Sequence, residues 1–445
     1  MQGANRIAVI GAGISGLSAA WLLGQKYEVT LFEAGDYLGG HTNTVDVTLD
    51  GVSHPVDTGF LVYNTTTYPN LTAMFAQLGV ASVETEMSFA VSLEEPKLEW
   101  SGSSLATVFG QKRNLLRPDF LRMISDILRF NRDAVAWVEA HPNDERTLRD
   151  YLADKGFSRG FQEWYLLPMA AAIWSCPAGQ MLDYPLVTFV RFCRNHGLLQ
   201  ILDRPMWRTV RGGAREYVRR LATLIDDVRV SSPVSSLRRV PGGVEVVSPR
   251  GVEHFDEVVL ACHSDQALAI LGDSASDAER ELLGAIRYQP NRAVLHTDDS
   301  LLPRDRSLWS AWNYLSARGA LDQCPVAVSY LINRLQPLPF KQPVMVTLNP
   351  PREPAADKVI AEFNYAHPIF DAPAVAAQQR LKAVSGRERV WFCGAWAGNG
   401  FHEDGLKAGL AVANSLGCLA PWQGAERPQE LPPLVYAGYT AGAPA

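Results

Sequence analysis

Three glycines in six residues, Gly11-Ala-Gly-Ile-Ser-Gly16, constrain this chain more than any other feature. They follow an apolar run, Arg6-Ile-Ala-Val-Ile10, and open an alanine- and leucine-rich stretch over 17–25. A second apolar run, Tyr27-Glu-Val-Thr-Leu-Phe32, comes next. The order predicts strand, tight turn, helix and strand, which is one βαβ unit of a parallel sheet. In that setting each glycine has its own task. Gly11 permits the turn, Gly13 lets the backbone approach a pyrophosphate, and Gly16 lets helix and strand pack closely. Ile14 and Ser15 begin the helix, whose free N–H groups and positive dipole end face the phosphates. Glu33 and Ala34 follow the second strand. A carboxylate there accepts hydrogen bonds from ribose hydroxyls and repels a 2′-phosphate. The pattern predicts a dinucleotide site but does not by itself separate FAD from NAD.

The bulk numbers narrow the partners. The chain has 445 residues, 47% apolar and 20% charged, enough for roughly two to three domains with large cores. Its net charge of −6 excludes a protein built to bind nucleic acid, which needs a basic field. The six cysteines form no CxxC pair, and the nine histidines show no spacing typical of a metal site. No metal is expected, and the cysteines read as small buried hydrophobes in a reducing compartment. The first apolar run leads into the glycine turn rather than a cleavage site. No apolar stretch reaches the 18 or so residues that span a bilayer. The expected location is cytoplasmic, with peripheral contact to the inner membrane face left open.

Along the chain, residues 80–204 are dominated by helical patterns and aromatics. Leu116, Phe120, Ile124, Ile127 and Phe130 recur at helical spacing. Residues 228–262 alternate as strands around Pro241-Gly-Gly243 and Arg250-Gly251. Residues 286–370 read mostly as strands. A strand over 390–394 and a helix over 404–416 close the ordered part. The expected fold class is α/β with an α+β insert. A discontinuous Rossmann-like cofactor domain (1–80, 205–285 and 386–422) wraps a mixed helix and strand substrate domain (81–204 and 286–385). A loosely ordered tail (423–445) follows.

A second glycine turn, Gly39-Gly40-His41-Thr42-Asn43-Thr44, comes soon after Glu33. Asp57-Thr58-Gly59, Arg211-Gly212-Gly213, the strand over 256–261, Trp391-Phe-Cys-Gly-Ala395 and Asp404-Gly405-Leu406-Lys407-Ala408-Gly409 complete a series spanning nearly the whole chain. The series resembles the flavin-containing amine oxidase and phytoene desaturase superfamily. The resemblance implies non-covalent FAD. It implies that Gly39, Gly40, His41 and Thr42 cover the pyrophosphate, with Thr58 and Gly59 in the family's Asp-x-Gly turn. It implies a strand valine, Val234, whose backbone contacts the adenine. Gly394 and Ala395 match the C-terminal segment, and Gly405 and Leu406 match a helix start at the flavin pyrimidine. A positive helix end there stabilises the charge gathered on reduction. The chain departs from the superfamily at His41, where arginine is usual, and at Ala395, where glutamate is usual. The segments 40–44, 208–217 and 394–405 resemble a narrower bacterial group of predicted NAD/FAD-binding proteins associated with cyclopropane- or methyl-branched fatty acid enzymes.

The chemistry follows less directly. Flavin performs hydride transfer, and the protein supplies binding, orientation and electrostatics. His402 and Glu403, just before the final helix, are candidates for acid–base work. Arg292 stands near the place of the amine oxidase lysine, but arginine stays protonated and is a poor base. His41, His54, Asn195 and His196 are further candidates. The insert holds Trp164, Tyr165, Trp174, Tyr184, Phe189, Phe192 and Trp207 with Met169, Met181 and Met206, which suit a long apolar pocket or a plain core. The segment 112–132 sets six basic residues beside an apolar face, a pattern that fits an anionic membrane or an ordinary surface helix. The leading expectation is an FAD-dependent oxidoreductase that desaturates or dehydrogenates a fatty acyl or related lipid by hydride transfer to flavin N5. The alternatives are a redox-neutral fatty acid double-bond isomerase, an amine oxidase, and a flavin-binding protein with a sensing role. The electron acceptor is open.

Overall fold

The computed structural model describes residues 5–200, 204–316 and 326–423, so the expected tail lies outside it except for residue 423. Five short strands form one parallel sheet. β1 is Arg6–Ile10, β2 Glu28–Phe32, β3 Asp227–Arg229, β4 Glu257–Leu260 and β5 Val390–Phe392. Their order across the sheet is β3-β2-β1-β4-β5. β1 is central, with Ile7 paired to Val29 on one side and to Glu257 on the other. Parallel strands covered on both faces are apolar almost throughout, which is why these runs are legible in the sequence.

Three helices define the end of this sheet where ligands bind. α1 (Ile14–Leu23) runs back from the glycine turn, and every one of its residues is buried. α2 (Pro69–Leu78) and α3 (His402–Ser415) complete the layer, with α3 packed along α1. Glycine sets that contact. A Cβ on Gly405 would stand 2.7 Å from Ile14 Cγ2, and one on Gly409 only 2.4 Å from the Ser15 carbonyl oxygen.

A seven-stranded sheet forms the second unit. Its strands run, edge to edge, Val359–Ile369, Arg287–His296, Met345–Leu348, Ala327–Leu331, Trp312–Ser316, Phe89–Leu93 and Leu98–Ser101. The last two belong to the stretch expected to be helical. Val91 faces Trp100 across their hairpin, and every residue of Leu98–Ser101 is buried. The helix Pro118–Ala140 does form, burying Phe120, Met123, Phe130, Ala134 and Val138 at spacings of three, seven, four and four. Leu116 falls outside it, in the short turn Lys112–Leu116, and is 87% exposed. Val234 lies in the connection after β3 and not in a strand. Pro233 lacks the N–H a ladder needs, and Ser235 N donates to Val247 O in the next sheet.

Candidate cofactor and active site

The glycine turn is built as its sequence predicts. Gly11 has φ +102°, and its N–H donates to Phe32 O, closing the turn onto β2. A Cβ on Gly16 would lie 1.8 Å from Gly11 O, whereas a Cβ on Gly13 would meet nothing within 4 Å. Gly13 therefore leaves clear space at the head of α1, which has neither a capping side chain nor an acid in its first turn. Gly39 N donates to Ala12 O, and a Cβ on Gly40 would come 3.3 Å from Gly13 Cα, so the second glycine turn lies against the first. Glu33 reaches back over them. Its carboxylate accepts from Ala12 N and Gly35 N, both at 2.8 Å. Thr58 and Gly59 brace this arrangement from behind. Thr58 N and Oγ1 both donate to Asn43 O, and a Cβ on Gly59 would strike His41 O.

His41 carries the strongest mark of a missing partner. Its Nε2 is buried without a hydrogen-bond partner. Around it stand Tyr365, His367 and His263, with ring centroids 5.1, 5.2 and 5.9 Å away. Burial, then its histidine neighbours, holds its pKa well below the usual value. His367 has a fixed tautomer. The Asn291 amide nitrogen donates to Gln289 O, and its oxygen accepts from Asn349 Nδ2. The same amide nitrogen therefore donates to His367 Nδ1 at 2.8 Å, leaving the proton on Nε2. Burial lowers the His367 pKa to about 4, so this ring is neutral. A buried, unpaired nitrogen beside an open glycine cradle fits the phosphates of a dinucleotide.

His402 also sits in this wall. Its ring stacks on Phe60 at 3.6 Å, and Nε2 faces Thr42 Oγ1 at 2.8 Å and Tyr217 OH at 3.1 Å. Burial drives its pKa to about 3, so it orients Thr42 as a neutral ring. Glu403 follows it in the first turn of α3. It is 4% exposed and accepts from Asn70 N, Leu71 N and Asn70 Nδ2, capping α2 from the head of α3. Arg292 is turned away from these rings by strand alternation. It pairs with Asn364, on the opposite face of its sheet from Tyr365 and His367, and its guanidinium is held by Glu353 and Glu362.

Beyond α3 the wall turns aromatic. Phe401 stacks on Phe192 at 4.9 Å, and Trp174 stands 4.6 Å from Phe192. His196 stacks on Phe192 at 3.9 Å. Trp174 Nε1 and Tyr184 OH are buried without partners. Below Phe401, Asp404 accepts from Phe401 N, and burial raises its pKa to about 6. His367 lies in a stretch read as strand, but nothing in its local pattern marks it as part of a site. His263 could have been found, since it follows the C-terminal end of β4, where open α/β sheets bind ligands. The histidines do not form a metal centre: among the described residues no group of His, Cys, Asp or Glu side chains is arranged to hold a metal ion.

A parallel sheet with this double glycine turn, a carboxylate folded back over it and a second helix packed along the first is the layout of a dinucleotide-binding fold. Residues 14–306 match the flavin containing amine oxidoreductase family, and the chain belongs to it. The cofactor is accordingly a flavin, FAD held without a covalent bond in the manner typical of the family. Three solved structures share the fold. One is a protein assigned as a protoporphyrinogen oxidase from Exiguobacterium sp. 255-15, with TM-score 0.66, 17% identity, and coverage of 93% of this chain and 98% of that one. The second is a fatty acid isomerase from P. acnes that produces CLA, with TM-score 0.65, 14% identity, and coverage of 93% and 99%. The third is cyclohexylamine oxidase from Brevibacterium oxydans IH-35A, with TM-score 0.63, 17% identity, and coverage of 93% and 99%. At these identities the likeness concerns the fold. No curated protein sequence matches the chain.

Proposed function

We propose that this flavoenzyme dehydrogenates a fatty acyl or related lipid. The observation that carries the reading is the wall beside the head of α3, where Trp174, Tyr184, Phe192, His196 and Phe401 meet. It offers apolar area and a few polar atoms, a composition that suits a long chain with one polar point of attachment. The bound flavin would supply the hydride acceptor. The chain's residues do the rest. Gly13 and His41 hold the phosphates, His402 and Tyr217 fix Thr42, and the aromatic wall positions the acyl carbon and excludes water. Asp404, which accepts from Phe401 N at the head of α3, would take the proton lost by the acyl chain as the hydride leaves. The test is anaerobic mixing of the holoprotein with a panel of acyl lipids. Loss of the oxidised flavin absorbance, with an unsaturated product by mass spectrometry, is expected. No bleaching with any acyl lipid overturns the reading.

A second reading is a redox-neutral shift of a fatty acid double bond. It is favoured by the neutral histidines and hydroxyls that line the cofactor cleft, and it matches the activity named for the isomerase with the same fold. Net consumption of an electron acceptor during turnover separates the two. Peroxide release with simple amines, and none with lipids, would instead place the chain among the amine oxidases of its family.

A further inference from the structure

Five leucines between positions 105 and 128 face solvent. Leu105 is 80% exposed, Leu116 87%, Leu128 52%, Leu115 50% and Leu121 44%. Single exposed leucines are ordinary. These five, however, share their stretch with Lys112, Arg113, Arg117, Arg122, Arg129 and Arg132, on a chain whose net charge is −6. Two of these cations are paired, Arg129 with Asp126 at 2.9 Å and Arg132 with Asp133 at 2.7 Å. Asp126 is buried against Arg129 and the Ser158 N–H, which leaves Asp119 as the exposed acid of the stretch. Among the described residues, Lys112, Arg113 and Arg122 make no ion pair.

The leucines are presented on a braced frame. The turn Lys112–Leu116 is stopped by Pro118, and Arg113 is tied to the Lys97 carbonyl. Phe109 and Trp100 pack on Phe120 behind it, at 6.0 and 6.3 Å. On the helix Pro118–Ala140, Leu121, Arg122, Leu128 and Arg132 point outward, while the opposite face is buried. That buried face packs on the helix Leu186–Asn195, whose Phe192 stacks on Phe401. The exposed face is thus one helix away from the aromatic wall. No helix of the described residues is long and apolar enough to cross a membrane.

We propose that this face docks on the surface of an anionic lipid bilayer, with Leu115, Leu116 and Leu121 at the acyl boundary and Lys112, Arg113 and Arg122 among the headgroups. Charge complementarity selects the occupant, because a partner with acidic headgroups satisfies the unpaired cations while the leucines find hydrocarbon. The inference extends the lipid reading, in that it brings the enzyme to where acyl chains reside. Docking is measured without turnover, so either idea can fail alone.

The test is flotation of the full-length holoprotein with vesicles of phosphatidylcholine alone or mixed with phosphatidylglycerol. Binding to the mixed vesicles, reversed by salt, is expected. The double variant Leu115→Ser, Leu116→Ser should lose at least about tenfold in vesicle affinity with flavin content unchanged. A second variant, Lys112→Glu with Arg122→Glu, should lose the preference for anionic vesicles. Equal flotation with both vesicle types, no flotation, or variants that bind like the native protein would overturn the proposal. So would self-association through these leucines in place of vesicle binding, which would assign the face to a second copy of the chain.

Discussion

Gly13 and Gly16 sit three residues apart in one turn, and their substitution by alanine has opposite consequences. A methyl group at Gly16 collides with Gly11 O, whereas one at Gly13 enters open space. Gly16→Ala is expected to lose the fold, seen as loss of cooperative unfolding. Gly13→Ala is expected to keep the melting temperature of the FAD-free protein and to weaken FAD binding by about tenfold or more, read by flavin fluorescence. Glu403→Ala leaves two backbone N–H groups of α2 unsatisfied and should cost about 1–3 kcal/mol in denaturant unfolding. Arg292→Ala removes only half-exposed ion pairs. It should change stability by about 1 kcal/mol or less and leave kcat unchanged. At this scale the sequence made the glycines legible because backbone geometry leaves them no substitutes. His367 was not legible, because only the packing of two distant segments brings it to His41, whereas His263 is marked by its place after β4.

At the scale of elements, the contact of α1 with α3 is the joint on which the site depends. Gly405 and Gly409 stand one turn apart, and both let α3 approach the first turns of α1. Gly409→Ala should separate the helices and lower both the melting temperature and the retained flavin, measured on the same preparation. The parallel strands and this helix were legible because continuous apolar runs and glycine turns mark them. The hairpin Phe89–Leu93 with Leu98–Ser101 was hidden among aromatics that serve the insert core equally well. The strand Val359–Ile369 falls in the stretch that reads mostly as strands, and as an edge it alternates between half-buried and exposed positions over its first six residues. Val234 was displaced by a proline that the resemblance passed over.

For the whole molecule, burial of neutral histidines sets the acid limit. Burial lowers His296 and His367 to about 4 and His402 to about 3, and His41, His196 and His263 are lowered too. Each folded pKa lies below that of the unfolded chain. The unfolded chain therefore binds more protons below about pH 6.5, and this stability, present above that pH, is lost as the pH falls toward 4 and 3. Asp57 and Asp404, raised by burial to about 7 and about 6, act the other way, since their contribution falls as the pH rises through that range. The histidines outnumber them, so the melting temperature of the FAD-free protein should rise between about pH 5 and pH 7. His402→Gln should make that slope shallower.

This fold holds FAD without a covalent bond. The most direct test is the absorption spectrum of the purified protein, followed by denaturation and mass spectrometry of the released cofactor. Flavin absorbance bands are expected, with FAD that leaves the denatured chain entirely. A colourless protein that also fails to take up added FAD would contradict it, as would a flavin that stays attached to the chain.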